Sequence, residues 1–160
     1  MSAVGDRVGV RESRRILGLR TLTQDDVLNA RRDETAIGMG AFPIDVHDAD
    51  APGLSHTDGL PAAYDIPFGA LVAHDLTNLL AGGRCISTTH EANGSARITA
   101  TCFTTGEAAG TAAALAAVGG FDAHATDVGK LQATCARAAS SAPARETAAT
   151  AARRDSVVPA

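Results

Sequence analysis

Apolar residues in the first third of the chain occur in short groups separated by charged and turn-forming residues. Strand structure is predicted on both sides of the charged stretch 11–15. The apolar residues that predict it are Val8, Val10, Ile16, Leu17 and Leu19. Residues 43–46 predict another short strand, because short apolar runs bounded by turn-forming residues are typical of strands. Residues 47–59 are rich in Asp, Gly and Pro and predict a loop.

Residues 22–27 carry the signals of a helix start. Thr23 can accept a hydrogen bond from the amide of Asp26, and acidic residues at positions 25 and 26 suit the positive end of a helix. Leu22 and Val27 have the spacing of a hydrophobic staple across such a cap. These signals predict a short helix over residues 24–32.

The middle of the chain predicts two more strands and a polar loop. Residues 66–72 form an apolar run that Pro67 interrupts, which is typical of an edge strand or a strand entry. Residues 75–81 predict a short apolar strand that ends at a glycine pair. Residues 84–97 are polar and predict a loop.

Two helices are predicted in the last part of the chain. The longer one covers residues 99–118 and carries small residues at a spacing of four: Gly106, Gly110 and Ala114. Glycine inside a helix costs up to about 1 kcal/mol relative to alanine, so we expect a packed element or a flat ligand to approach this face closely. Residues 127–139 predict a second helix, and residues 140–160 predict a disordered tail.

The length of 160 residues suits about one domain, and 45% of the residues are apolar. Alanine supplies nearly half of these apolar residues, and the chain has no Trp, one Tyr and four Phe. Small side chains bury little surface, and burial stabilises a fold by roughly 25 cal/mol per Å². The composition therefore argues against a large self-sufficient core.

The charge pattern argues against several function classes. The net charge is −4 and no run of Lys or Arg exceeds two residues, so the sequence lacks the basic footprint of a nucleic-acid-binding protein. The first 15 residues carry charges throughout, unlike a secretory signal, and no segment has the roughly 20 strongly apolar residues of a membrane span. We expect a cytoplasmic protein that binds neither nucleic acid nor membrane.

The sequence predicts no metal site. None of the cysteines belongs to a C-x-x-C motif: Cys85, Cys102 and Cys135. This spacing argues against a disulfide framework or a thiolate metal site. His90 and Glu91 begin a pattern like that of zinc proteases, but Gly94 stands where the second histidine belongs. The acidic residues around position 47 are expected to be solvated.

Residues 82–110 hold the densest candidate chemistry. A glycine pair lets a ligand or another backbone come close, and the start of the following helix offers free amides to an anion or an electron-rich ring. Arg84 and Arg97 add positive charge at the two ends of the loop between them. An ordinary strand-to-helix turn with solvated arginines is the alternative, since a glycine pair alone is a weak signal.

A family resemblance extends over most of the chain. Residues 78–117, NLLAGGRCISTTHEANGSARITATCFTTGEAAGTAAALAA, resemble the C-terminal flavin-contacting signature of a family of FAD-dependent oxidoreductases similar to the flavin subunit of heterodisulfide reductase. The phrases RESRRILG, LTQDDVLNARR, FPIDVHD and YDIPFGALV resemble the same family in the same order. The resemblance covers about residues 8–135.

The resemblance implies the fold class and the domain organisation. The expected fold is α/β (an α+β fragment), the C-terminal part of an FAD/NAD(P)-binding flavoprotein without its N-terminal glycine-rich βαβ unit. Residues 1–70 would end a substrate-side domain, and residues 71–120 would supply a returning strand, loop and helix of the FAD-binding domain. Residues 121–139 would form the C-terminal helix. We expect the chain to need the missing N-terminal FAD-binding portion.

The resemblance also implies which residues form the site. Those expected near the ribityl and pyrophosphate groups are Gly82, Gly83 and Arg84. Those expected to face the isoalloxazine ring are Ser95, Arg97, Thr99 and Thr101. A helix N-terminus and an arginine suit the negative charge that a reduced flavin carries near N1 and O2. The nearest candidates for catalysis or substrate charge are Arg14, His47 and His90.

The implied function is flavin-mediated transfer of a hydride or electrons to or from a small-molecule substrate, with FAD as cofactor. A 4Fe-4S cluster is implied by the family alone, and no cysteine ligands for one are identifiable here. The main alternative is a non-catalytic remnant, or a piece that complements a separate flavin-anchoring chain. The third hypothesis is an unrelated domain that binds a small ligand.

Overall fold

The computed structural model describes residues 9–47, 54–56 and 62–141, with the side chains of residues 47, 54–56 and 139–141 outside the description. The described part mixes helices with small antiparallel sheets, which confirms the predicted mixture of α and β structure. Its α-helices are α1 (Gln24–Leu28), α2 (His90–Ala96), α3 (Thr99–Gly119) and α4 (Val128–Ser141). Its strands are β1 (Ala36–Gly40), β2 (Asp45–His47), β3 (Leu54–His56) and β4 (Tyr64–Pro67).

The four strands form two antiparallel pairs. β1 pairs with β4, with Met39 opposite Asp65, and the register shifts near the start of β1. β2 pairs with β3, with Val46 opposite Ser55. Gln132 of α4 donates a hydrogen bond to the carbonyl of Ala36 at 2.9 Å, which ties the last helix to the first sheet.

For the described residues, the prediction of N-terminal strand structure around residues 11–15 is wrong. Residues 9–17 have no regular structure, and the chain then forms only isolated bridges, Gly18 with Ala73 and Leu22 with Thr88. The predicted strand at residues 43–46 begins later, at Asp45. β3 interrupts the predicted 47–59 loop, most of which lies outside the described residues, as does Val8.

The predicted start of α1 is confirmed. Thr23 accepts from the amide of Asp26 at 3.3 Å, and the Asp26 carboxylate accepts from the amide of Thr23 at 2.9 Å. Leu22 and Val27 on either side of this capping box are fully buried. The helix ends at Leu28 rather than near residue 32, because Ala30 takes a left-handed conformation with φ +48°.

Three predictions for the middle of the chain are corrected. The strand predicted over residues 66–72 ends at Pro67 and continues as a 3-10 turn, Phe68–Ala70. The strand predicted over residues 75–81 consists of turns and one isolated bridge between Val72 and Leu80. The predicted 84–97 loop contains α2, which Thr89 caps by accepting from the amide of Ala92.

The long helix is confirmed, but its packing face is not the predicted one. α3 ends where Gly120 takes φ +66°. Its buried residues are Thr101, Thr105, Ala108, Ala109 and Ala112. Gly106 and Gly110 are exposed, and a Cβ at either position would meet open space. The backbone of Gly82 approaches α3 closely instead, since a Cβ at Gly82 would lie 2.9 Å from the Cα of Gly106.

Among the described residues, the core consists of two hydrophobic clusters. The larger one joins α1, β4 and α2, and its largest buried side chains are Leu22, Tyr64, Ile66, Leu71 and Ile86. The smaller one joins α3 and α4 around Phe68, Val72, Ala112, Ala123 and Leu131. Within the described ranges, no helix has both the length and the apolar character to cross a bilayer. The predicted tail lies almost wholly outside the described residues.

Candidate functional site

The glycine turn, formed by Gly82 and Gly83, lies against α3. Gly83 has φ +76°, a conformation that side chains disfavour, and its amide donates to Thr105 Oγ1 at 2.8 Å. Gly82 lies against the backbone of Gly106, leaving no space for a Cβ. The turn is therefore fixed against the second turn of α3.

The N-terminus of α3 has backbone hydrogen-bond donors that lack partners within the helix. Its cap residue is Ile98, which makes no side-chain cap, and the first helical hydrogen bond runs from the amide of Cys102 to the carbonyl of Ile98. The amides of the residues at positions 99–101 therefore have no partner within the helix. Thr99 is exposed and Thr101 is buried. This end of α3 carries partial positive charge.

Arg97 lies between α2 and α3 and is held by β2. Its guanidinium donates to the carbonyl of Asp45 at 2.7 Å and lies 3.9 Å from the Asp45 carboxylate. The side chain is 10% exposed. Contacts with β2 therefore hold the positive charge of Arg97 in one position.

An open cleft of about 180 Å³ lies between these elements. It is lined by Arg11, Phe42, Asp45, Arg84, Gly94, Arg97 and Ile98. Arginine side chains and the cap residue of α3 therefore face the same space, which suits an anionic or electron-rich ligand.

A second cleft of about 320 Å³ adjoins the first. It is lined by Val10, Arg11, Glu12, Ser13, Arg14, Arg84 and Cys85. Arg11 and Arg84 line both clefts, and Arg84 donates to the carbonyl of Val10 at 3.0 Å. The N-terminal segment is thereby joined to the glycine turn, so that the two clefts share a wall.

His90 is linked to the wall of the second cleft through Glu12. Its Nδ1 lies 2.9 Å from Glu12 Oε2, and Arg15 also contacts the Glu12 carboxylate. Burial alone would raise the pKa of Glu12, but hydrogen bonds, foremost those from His90 and Arg15, outweigh burial and lower it. Glu12 therefore stays ionised and orients the His90 ring.

One expected site residue lies in the core, and the side chain of another lies outside the described residues. Ser95 is fully buried; its hydroxyl donates to the carbonyl of Phe42 at 2.5 Å and lies 2.7 Å from the Tyr64 hydroxyl. The expectation that Ser95 faces a flavin ring is therefore corrected to a core position, because α2 directs this side chain toward β4. His47 ends β2, and its side chain lies outside the described residues.

The other expected residues lie on the walls of the clefts or beside them. Arg84 belongs to both clefts, Arg14 to the second and Arg97 to the first. The sequence reasoning missed Glu12, which holds His90, and Thr105, which holds the glycine turn. No local pattern identifies either residue, because their partners lie 78 and 22 positions away in the sequence.

Two of the cysteines lie near the glycine turn, while Cys135 packs against the smaller core cluster. Cys85 is exposed and lines the second cleft, while burial raises the pKa of the Cys102 thiol near Gly83. In the part of the chain that the structure describes, no group of three or more His, Cys, Asp or Glu side chains could hold a metal ion. The described residues thus offer no ligand set for an iron–sulfur cluster.

Comparison with protein families gives a match over most of the chain. The model of a protein family described as FAD dependent oxidoreductase matches residues 1–135, which include both clefts, the glycine turn and α3. No curated protein and no solved structure matches the chain.

Proposed function

Since the chain belongs to the family of FAD dependent oxidoreductases, we propose that it takes part in hydride or electron transfer between FAD and a small-molecule substrate. The family match over residues 1–135 carries this proposal. The two adjoining clefts support it, because a flavin and its substrate need neighbouring sites. We further propose that the chain is similar to the flavin subunit of heterodisulfide reductase.

The glycine turn fits the non-ring part of the cofactor. Gly82 and Gly83 present backbone without side chains, which allows close approach of a ribityl or diphosphate group. Arg84 is exposed beside the turn and supplies a positive charge for such a group. In this proposal, Thr105 acts as a positioning residue, because its hydroxyl holds the amide of Gly83.

The N-terminus of α3 fits the ring part of the cofactor. When bound, FAD supplies hydride and electron transfer, and its ring gains negative charge on reduction. The free amides at Thr99 and Thr101, with the fixed guanidinium of Arg97 nearby, would stabilise that charge. The geometry of the donors is set in advance, since Asp45 holds Arg97 in place.

His90 and Arg14 are proposed as the substrate-side residues. Glu12 holds Nδ1 of His90 and leaves Nε2 available to take up or release a proton. Arg14 is exposed on the wall of the second cleft and suits a charged substrate group. His47 remains a candidate through its position at the end of β2.

A flavin titration of the full chain tests the proposal. We expect saturable quenching of FAD fluorescence, which would measure binding directly. Because the proposed contacts are with the ring, the ribityl group and the adjoining phosphate, FMN should compete with FAD more strongly than ADP does. Absence of FAD binding would favour a non-catalytic chain, or one that complements a separate flavin-anchoring chain.

A further inference from the structure

Two of the three cysteines flank the glycine turn from different elements. Cys85 ends the 3-10 turn that begins at Gly83, and its Sγ lies 3.3 Å from the carbonyl oxygen of Gly82. Cys102 lies near the start of α3, and its Sγ would lie 3.7 Å from a Cβ placed on Gly83. The fold therefore brings two thiols that belong to no local sequence motif to the same two-residue turn.

The Cys85 and Cys102 thiols are close enough to affect each other. Burial is the largest cause that raises the pKa of the Cys102 thiol; the positive charge of Arg84 opposes this rise, and the nearby Cys85 thiol adds to it. Such an effect falls off with distance, so the two sulfurs lie near each other. The third cysteine, Cys135, packs against the smaller core cluster instead.

The two thiols differ in exposure in a way that suits stepwise thiol–disulfide exchange. Cys85 is exposed and lines the second cleft, so a small disulfide in solution can reach it. Cys102 is partly buried, and its Sγ donates to the carbonyl of Arg97 at 3.4 Å. Exchange begins with attack by an accessible thiolate and is completed by a second thiolate beside the first. Both thiols are free in this structure.

We propose that Cys85 and Cys102 form a dithiol that a low-molecular-weight disulfide oxidises to an intramolecular disulfide bond. The Cys85 thiolate attacks the external disulfide, which forms a mixed disulfide and releases one thiol. The Cys102 thiolate then attacks the Cys85 sulfur, forms the bond between the two cysteines and releases the second thiol. The two cysteines lose two electrons and two protons, and the external disulfide gains them as it becomes two thiols.

The new bond joins the glycine turn to α3 covalently. Its formation requires the Cys85 side chain to leave the carbonyl of Gly82 and turn toward α3, which costs little because a thiol is a weak hydrogen-bond donor. The amide of Gly83 already donates to Thr105 of α3, so the bond reinforces an existing contact. The inference goes beyond the proposed function, since neither thiol is assigned to the cofactor or the substrate and no step uses the flavin.

Oxidation of the full chain with glutathione disulfide tests the proposal. The free thiols are counted after an acid quench, and disulfide-linked peptides are identified by mass spectrometry. We expect the three free thiols to fall to one, with Cys85 linked to Cys102 and no glutathione retained on either. The matched control is Cys135→Ser, which removes the thiol beside the smaller core cluster and should form the same disulfide.

Single replacements separate the two roles. Cys102→Ser should stop at the mixed disulfide and retain one glutathione on Cys85. In Cys85→Ser, Cys102 should react with glutathione disulfide at least about tenfold more slowly than Cys85 does in Cys102→Ser, because Cys102 is partly buried.

The peptide map of the unmodified chain decides the outcome even if a variant fails to fold. Glutathione retained on Cys85 of the unmodified chain would overturn the proposal, because the second thiol would then be out of reach. A disulfide that includes Cys135, a disulfide between two copies of the chain, or no loss of thiols would overturn it as well.

Discussion

Nδ1 of His90 lies 2.9 Å from Oε2 of Glu12, although the two residues are 78 positions apart in the sequence. This contact joins the first residue of α2 to the N-terminal segment that lines the second cleft. The carboxylate fixes the orientation of an exposed imidazole and leaves its other nitrogen open to a ligand. The same pair supplies a pH-dependent contribution to stability.

Replacing Glu12 should change how stability depends on pH. Its pKa in the folded chain lies below the usual value of 4.5, because hydrogen bonds from His90 and Arg15 outweigh burial. Such a carboxyl contributes stability above pH 4.5, and the contribution is lost as the pH falls through the folded-state pKa. We expect Glu12→Gln to lower the free energy of unfolding by about 1 kcal/mol at neutral pH.

Urea unfolding at neutral and acidic pH measures this effect. The difference between Glu12→Gln and the unmodified chain should shrink toward zero as the pH falls well below 4.5. Glu107→Gln, on the exposed face of α3, is the control and should change stability little at either pH. A Glu12→Gln effect that is the same at both pH values would contradict the ionised contact.

Ser95→Ala should destabilise the fold. Tyr64 is fully buried, and loss of the Ser95 hydroxyl would leave the Tyr64 hydroxyl without this partner. The expected cost is about 1 to 3 kcal/mol in the free energy of unfolding. Adding Tyr64→Phe to Ser95→Ala should cost less than the two single changes together, since both polar partners are then gone. Unchanged stability with weaker FAD binding would instead place Ser95 at the cofactor.

Two glycines should respond oppositely to alanine. Gly83→Ala places a side chain at φ +76° and should cost about 1 to 2 kcal/mol, with local disruption of the bond to Thr105. Gly110→Ala meets open space on α3 and should stabilise the chain by up to about 1 kcal/mol. Thermal unfolding of both variants checks this. Destabilisation by Gly110→Ala would instead support the prediction that the face with Gly106, Gly110 and Ala114 packs closely against another element.

Local signals in the sequence were sufficient for α1 and α3. The capping pair Thr23 and Asp26 lies within four residues, and the long alanine-rich run of α3 has high intrinsic helix propensity. The C-terminal end of α3 was likewise predictable, since Gly120 supplies a left-handed stop. The signals that predict these two helices therefore lie in residues that are close together in the sequence.

α2 was not predictable in the same way because tertiary contacts stabilise it. Gly94 in its middle lowers helix propensity, yet a Cβ there would lie 2.8 Å from the carbonyl oxygen of Asp45. The helix therefore packs against β2 through its glycine. The same packing turns Ser95 toward the core, which a reading of the 84–97 segment as a polar loop could not anticipate.

The candidate site was predictable in its residues but not in its arrangement. The family resemblance identified the glycine turn, Arg84 and Arg97, and these residues line or border the first cleft. The second cleft depends on the irregular N-terminal segment, whose position is set by long-range contacts such as that from Arg84 to the carbonyl of Val10. No periodic pattern encodes such contacts.

The most direct test of the account compares FAD affinity in two aspartate variants of α3. Thr99→Asp places a negative charge at the free N-terminus, where it should stabilise the helix by up to about 1 kcal/mol but weaken FAD binding about tenfold. Thr111→Asp adds the same charge three turns further along α3 and should change FAD affinity by less than about twofold. Loss of FAD affinity in Thr99→Asp alone, with its thermal stability kept or raised, is the predicted result. Equal FAD affinities in the two variants would contradict a flavin site at this end of α3, and no FAD binding by the unmodified chain would contradict a flavin site that the chain forms by itself.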